Sequence, residues 1–394
     1  MNGRGGVVSS IAVVVALAAV GSLAALAPGA GAAGDGDCSA PFRVEETLPN
    51  GATWSLCWER RALEGIVLHD VTYTPPGGSA TLVMGQMNLA QIHVPYDDNL
   101  ARFHDESDFG LGFNLLELDG DDCPGGTVLG DGTQQTLCRQ VRDLGYAYKD
   151  YGAQDQAHSL ALFSVSAIGA YNYVVEWNLD DDGTIRPMVG ATGRLQRFGG
   201  GTATGWRVGT NRIAVAHLHN YYWRLDVDLA GSADDRVQEL ASTPAGDRQS
   251  FAATRTPFLS EAARRVQPRT FRSWRVLDPS VTNADGHRIS YELLPSTDHI
   301  FRGPGYEPFT HNELYVTRAA PCERFASHNP ATGGCGRDLS DYVDGEALRG
   351  ADVVLWYGTS FHHLPRDEDE ERMPAHWSGF SLVPRDLTAT NPRP

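Results

Sequence analysis

The run Ile213-Ala214-Val215-Ala216-His217-Leu218-His219-Asn220-Tyr221-Tyr222-Trp223-Arg224-Leu225-Asp226-Val227-Asp228 decides the fold class. It is dense in β-branched and aromatic residues and carries neither glycine nor proline, a composition that fits a pleated, half-buried surface better than a helix. Two strands are predicted from it, Ile213 to His219 and Tyr221 to Asp228. Similar runs recur at Gly65 to Tyr73, Ala80 to Met87, Leu160 to Val165, Tyr171 to Leu179 and Val353 to Tyr357. Turn clusters punctuate them, among them Pro75-Pro76-Gly77-Gly78, Asp180-Asp181-Asp182-Gly183 and Gly199-Gly200-Gly201. The best helix candidate is short, Ser260 to Val266. The expected architecture is all-β, one large β-sandwich with few short helices.

Residues 1–33 read as a signal peptide. Arg4 precedes an uncharged stretch from Val7 to Leu26, and Ala30-Gly31-Ala32 supplies the small-residue pattern of a cleavage site near Ala32. The apolar run is also long enough to span a bilayer, which is the alternative to cleavage. The small-residue end favours cleavage, and with it secretion and no membrane attachment afterwards. Cys38 follows Gly36 and Asp37 rather than apolar residues, so lipidation is not expected. The six cysteines fall into locally spaced pairs, Cys38 with Cys57, Cys123 with Cys138 and Cys322 with Cys335. An oxidising compartment would close them, although spacing alone does not select one connectivity. The net charge of −17 disfavours nucleic acid as a partner and is compatible with cationic substrates.

Three groups of residues could carry chemistry. His217 and His219 alternate along one strand and therefore share a face, where two neutral imidazoles can grip one metal. His362-His363 follows the apolar run Val353 to Tyr357, where a strand leaves the core, and offers a third ligand. Three histidines suit copper or zinc, and imidazole chemistry does not choose between them. The segment Ala167-Ile168-Gly169-Ala170-Tyr171-Asn172-Tyr173 puts two tyrosines on one strand face, an arrangement more often found in ordinary packing.

Taken together, these segments resemble the copper amine oxidase family. That family carries T-x-x-N-Y-[DE]-Y, then H-x-H before a strand like R-L-D-x-x-x-D-G, then a histidine followed by x-P-R-x-E-D and M-P. Here stand Tyr171, then His217-Leu218-His219 with Arg224-Leu225-Asp226-Val227-Asp228, then His363, Pro365, Arg366, Glu368, Asp369, Met373 and Pro374. Gly65-Ile66-Val67-Leu68-His69-Asp70-Val71 looks like the family's G-L-V-L-H-D-V, and Val94-Pro95-Tyr96 like its V-V-P-Y. The likeness runs from about Trp54 to Pro392, which makes residues 34–394 a copper amine oxidase-like catalytic domain.

The resemblance implies roles, residue by residue. His217, His219 and His363 would hold Cu(II), and Tyr171 would be the precursor of the topaquinone cofactor. Tyr96 would hydrogen-bond the quinone, and Asp105 would be the general base, a task suited to a desolvated carboxylate with a raised pKa. Asp226, Asp228 and Asp352, with the carbonyls of Val227 and Val353, would form a peripheral calcium site. Cys123–Cys138 would be the family's disulfide, and a homodimer the expected assembly. The implied reaction takes a primary amine and dioxygen to aldehyde, ammonia and hydrogen peroxide.

Three motif positions differ. Ala167 stands for Thr, Ala170 for Asn and Asn172 for the acidic residue, and the spacing from Tyr96 to Asp105 is several residues shorter than the family's. Glu370-Glu371-Arg372 replaces the usual start of W-P-x-M-P. These departures support a second reading, a copper-binding pseudoenzyme or an accessory subunit that keeps the metal site without forming the quinone.

Overall fold

The computed structural model describes residues 38–231, 234–247, 250–297, 299–330 and 335–393, so the expected signal peptide lies outside the described residues. Among the described residues, two antiparallel sheets of nine and eleven strands carry the fold, and a two-stranded ribbon accompanies them. In the nine-stranded sheet, His217–Asp226 lies between Thr81–Pro95 and Val353–His363. In the eleven-stranded sheet, Tyr171–Asp180 lies between Gln154–Ile168 and Ile185–Gly193. One apolar core draws on both sheets: Leu89, Tyr221, Trp223 and Leu355 come from the first, and Leu162, Tyr173, Trp177 and Val189 from the second. Trp177 and Trp223 meet edge to face across it with centroids 4.8 Å apart, a favoured aromatic geometry.

The strands are longer and differently divided than their sequence patterns suggest. The expected break between His219 and Tyr221 is absent; the chain breaks at Ala216, between Arg212–Val215 and His217–Asp226. The run begun at Ala80 extends through Thr81–Pro95, and from Leu89 onward every residue of it is buried. Burial on both faces erases the alternation that marks a half-exposed strand. Val353–His363 likewise continues past Tyr357, so His363 closes a strand rather than following one. The segment Ser260 to Val266 is not helical: Ala262–Arg264 is a short strand paired with Leu314–Arg318. A one-turn helix forms instead at Asp105–Phe109.

Two connections place the site. Gly169-Ala170 is a two-residue turn, with Ile168 and Tyr171 paired across its base. Gly169 has φ +62°, the conformation that the first position of such a hairpin requires of glycine. The second connection leaves Thr81–Pro95 at Tyr96, whose N–H donates to Ala101 O at 2.9 Å, and returns as Arg102–His104 directly into the helix Asp105–Phe109. The three cysteine pairs, Cys38–Cys57, Cys123–Cys138 and Cys322–Cys335, all form disulfides. No helix among the described residues is long and apolar enough to cross a membrane.

Candidate metal centre and adjoining cavity

His217 and His363 are directly opposed on adjacent strands, and His219 lies two residues along on the same face. All three are buried: His217 is 1% exposed, His219 0% and His363 2%. Their rings pack at 4.8 Å (His217–His219) and 5.0 Å (His217–His363) between centroids, and one nitrogen from each falls in a cluster no wider than 4.8 Å. The outward nitrogens are spoken for: His217 Nδ1 donates to Val215 O at 3.2 Å and His363 Nε2 to Asp369 Oδ2 at 3.0 Å. These bonds fix the tautomers and leave His217 Nε2 and His363 Nδ1 with free lone pairs. His219 Nε2 is buried with no hydrogen-bond partner. A buried orphan nitrogen is costly unless something coordinates it, so the donor set fits a copper-sized cation. Burial holds the His217 imidazole down to about 3 and keeps His219 and His363 below the usual histidine range, so all three are neutral, as ligation requires.

The tyrosines come from the opposite sheet. Tyr171, the first residue after the Gly169-Ala170 turn, donates its phenol proton to His217 Nε2 at 2.8 Å and lies 3.2 Å from His363 Nδ1. Burial first, then the nearby Tyr96, Tyr221 and Asp369, raise its pKa well above the ordinary value, so it remains a phenol without a metal. Tyr173 donates to Asp105 Oδ2 at 2.8 Å and lies 3.3 Å from His219 Nδ1. With Tyr173 donating to Asp105, His219 Nδ1–H must donate to the phenol oxygen, which leaves Nε2 for a metal. A continuous hydrogen-bonded line therefore joins His219 to Asp105. Asn172, between the tyrosines, faces the other side of the sheet by strand alternation, away from the histidines.

Asp105, Tyr96, Tyr171 and Tyr173 line the same cavity, of about 360 Å³. The shortened Tyr96–Asp105 spacing is thus accommodated by the tight return from Tyr96 to Ala101. Burial pushes the Asp105 carboxyl up to about 7, against the opposing pull of the Tyr173 hydrogen bond. Tyr96 stacks on His217 with centroids 4.6 Å apart and planes 25° from parallel. Phe103 and Phe109 continue the wall outward.

At the far end of the same strand pair, Asp226, Asp228 and Asp352 bring carboxylate oxygens within 4.8 Å of one another. Each has one buried Oδ1 with no partner. Gly85 makes room for them, since a Cβ there would lie 2.0 Å from Asp228 Oδ2. Burial, then the neighbouring aspartates, pushes Asp228 up to about 8 and Asp352 up to about 7, while Arg224 bonds Asp226 at 3.1 Å. Unpaired oxygens at this density fit a hard cation. Val227 and Val353 adjoin these aspartates in sequence, at the end of the paired strands.

All the catalytic and copper-site residues expected from the sequence meet at one place. Sequence reasoning gave no role to Tyr173, Asp369 or Val215, which complete the hydrogen bonding around the histidines. Tyr173 had a legible signal, its same-face spacing from Tyr171; Asp369 had one in lying six residues beyond His363. The bond from His217 to the Val215 carbonyl depends on the chain break at Ala216 and left no trace in residue type.

The sequence pattern described as "Copper amine oxidase, enzyme domain" matches residues 44–393. Histamine oxidase of Arthrobacter globiformis is 27% identical over 396 residues, covering 89% of this chain and 57% of that protein. Primary amine oxidase of Klebsiella aerogenes is 26% identical over 387 residues, covering 84% and 51%. Among solved structures, a copper-containing benzylamine oxidase from Hansenula polymorpha superposes with TM-score 0.76 at 20% identity, covering 89% of this chain and 62% of that one. An amine oxidase from Aspergillus nidulans gives 0.74 at 20% identity, covering 87% and 52%. The chain spans about half to three-fifths of the length of these curated relatives.

Proposed function

Because the chain belongs to the copper amine oxidase family, we propose that it oxidises a primary amine with dioxygen, using copper held by His217, His219 and His363 and a topaquinone formed from Tyr171. The observation that carries this reading is the Tyr171 phenol at 2.8 Å from His217 Nε2 and 3.2 Å from His363 Nδ1, the two nitrogens left free for a metal. Copper and the quinone together supply the redox chemistry: two electrons leave the amine and are returned to dioxygen.

The protein's own residues do the rest. Asp105 removes the α-proton of the bound amine, and a carboxyl raised to about 7 is better matched to a carbon acid than an exposed aspartate. Tyr173 keeps Asp105 Oδ2 occupied, and the carboxyl lines the cavity in which the amine would bind. Tyr96, held by its stacking on His217, would orient the modified ring through its hydroxyl. Asp369 fixes the His363 tautomer, a second layer of support that metal sites commonly need. With the quinone bound, the products would be aldehyde, ammonia and hydrogen peroxide.

The same reading places Ca(II) among Asp226, Asp228, Asp352 and the carbonyls of Val227 and Val353. It takes the protein to be secreted after cleavage near Ala32, which the three disulfides support, and to act as a homodimer. A second reading, a copper-binding pseudoenzyme or accessory subunit, is favoured by Ala167, Ala170 and Asn172 in the motif around Tyr171. Peroxide release from copper-loaded protein given primary amines in air separates the two. The oxidase reading expects release that vanishes in Tyr171→Phe; copper binding without release across aromatic, aliphatic and diamine substrates contradicts it.

A further inference from the structure

We infer that the cavity beside Tyr171 selects amines with a single ammonium and an aromatic or other apolar substituent, and rejects diamines and polyamines. The inference rests on reading this cavity as the amine site and adds the substrate class.

The wall opposite the tyrosine strand is an aromatic staircase. Tyr96, 3% exposed, meets Phe103 edge to face at 6.1 Å, and Phe103 meets Phe109 at 6.4 Å. Phe109 is 48% exposed, so the staircase climbs from the buried end to the mouth. Val94 and Ile168 close the remaining sides with aliphatic carbon. A flat apolar substituent extending outward from an ammonium near Asp105 would be covered by these rings along its length.

Asp105 is the acid that lines this cavity among the described residues; the other polar side chains of the outer wall, Asn114 and Gln196, are uncharged. Of the acids near the site in sequence, Glu106 is fully buried and does not line the cavity, and three others are engaged. Asp97 bonds His362 Nε2 at 3.0 Å, Asp98 bonds Arg197 at 2.8 Å and Asp108 bonds His328 Nδ1 at 3.2 Å. Arg197, the partner of Asp98, lies over the Tyr96 ring at 5.3 Å, so this ion pair offers an incoming ammonium no free carboxylate. A second ammonium would therefore shed its water among Phe103, Phe109 and Ile168 with no counter-charge, an unfavourable transfer. The chain's net charge of −17 attracts any amine, and a diamine more strongly, so selection must be local.

The test is equilibrium binding of phenethylammonium and butane-1,4-diammonium to the copper-loaded Tyr171→Phe variant, which cannot turn over. Phenethylammonium is expected to bind tighter by roughly tenfold or more. Gln196→Glu, an exposed isosteric change, and Phe109→Asp should each narrow that ratio by tightening the diammonium. Equal or tighter binding of the diammonium to the parent variant, or no binding of phenethylammonium, overturns the inference. The oxidase reading fails separately: aromatic binding with no turnover in the unsubstituted protein contradicts the oxidase alone, and turnover that favours diamines contradicts the selectivity alone.

Discussion

The strands His217–Asp226 and Val353–His363 carry two candidate cation sites, one at each end, and the two differ in the chemistry of their donors. At one end, His217, His219 and His363 lie buried as neutral imidazoles, and two of their three metal-facing nitrogens are met by the Tyr171 phenol. At the other, Asp226, Asp228 and Asp352 crowd carboxylates around orphan oxygens, and burial pushes two of them up to about 7 and 8. Backbone geometry is shared, so the contrast lies in the side chains. The nitrogen site leaves one orphan, His219 Nε2, among neutral imidazoles, whereas the oxygen site leaves three among carboxylates and calls for protons or a cation.

The comparison breaks most sharply at the histidine end. His219→Ala removes a proposed ligand whose Nε2 is otherwise unpaired, and copper affinity should fall by more than about a hundredfold, the upper end for second-layer losses, with the far-ultraviolet dichroism unchanged. Equilibrium dialysis against a copper chelator measures it. Next in size is Asp105→Asn. Amine turnover should drop by about 10²–10⁴, the usual worth of a general base, while copper binding is retained. The pH profile of the unsubstituted protein should rise through about pH 7 as Asp105 loses its proton.

Asp369→Asn sharpens the comparison by loosening the histidines without removing one. Copper affinity should fall by about 10- to 100-fold, read in the same dialysis. At the carboxylate end the expected effect is on stability. The folded pKa values of Asp228 and Asp352 are raised above their unfolded values, so stability is fully present below about pH 4 and is lost as pH rises through about 7 to 8. Calcium should restore it, by about 2.7 kcal/mol at a hundredfold excess over Kd, and more visibly at pH 8 than at pH 5. Melting curves with calcium or a chelator at both pH values test this, and Asp228→Asn should abolish the response. The smallest effect is Tyr173→Phe: losing its bond to Asp105 should move the rising limb of the pH profile to higher pH, because that bond lowers the carboxyl's pKa.

These two ends were unequally legible in the sequence. His217-x-His219 declares itself because strand alternation turns a two-residue spacing into a shared face; His362-His363 after an apolar run offered a third ligand, and the family resemblance selected His363 and supplied the three aspartates. The line from His219 through Tyr173 to Asp105 was not legible, since Tyr173 and Asp105 come from different elements 68 residues apart and meet only when the sheets pack. The Ser260 to Val266 misreading has a similar cause. Local Glu and Ala favour a helix, but pairing of Ala262–Arg264 with Leu314–Arg318 outweighs a preference of a few tenths of a kcal/mol per residue. Strand lengths were underestimated where burial on both faces removes the periodicity that reveals a strand, as in Thr81–Pro95.

On the proposed function, Tyr171 becomes the quinone under copper and dioxygen despite Ala170 and Asn172. This is tested most directly by giving metal-free protein Cu(II) in air, trapping with a carbonyl-reactive hydrazine, and locating the adduct by peptide mass mapping. A coloured adduct is expected on the peptide containing Tyr171, formed only with both copper and dioxygen and absent from Tyr171→Phe. Copper bound at one per chain with Tyr171 recovered unmodified would contradict it.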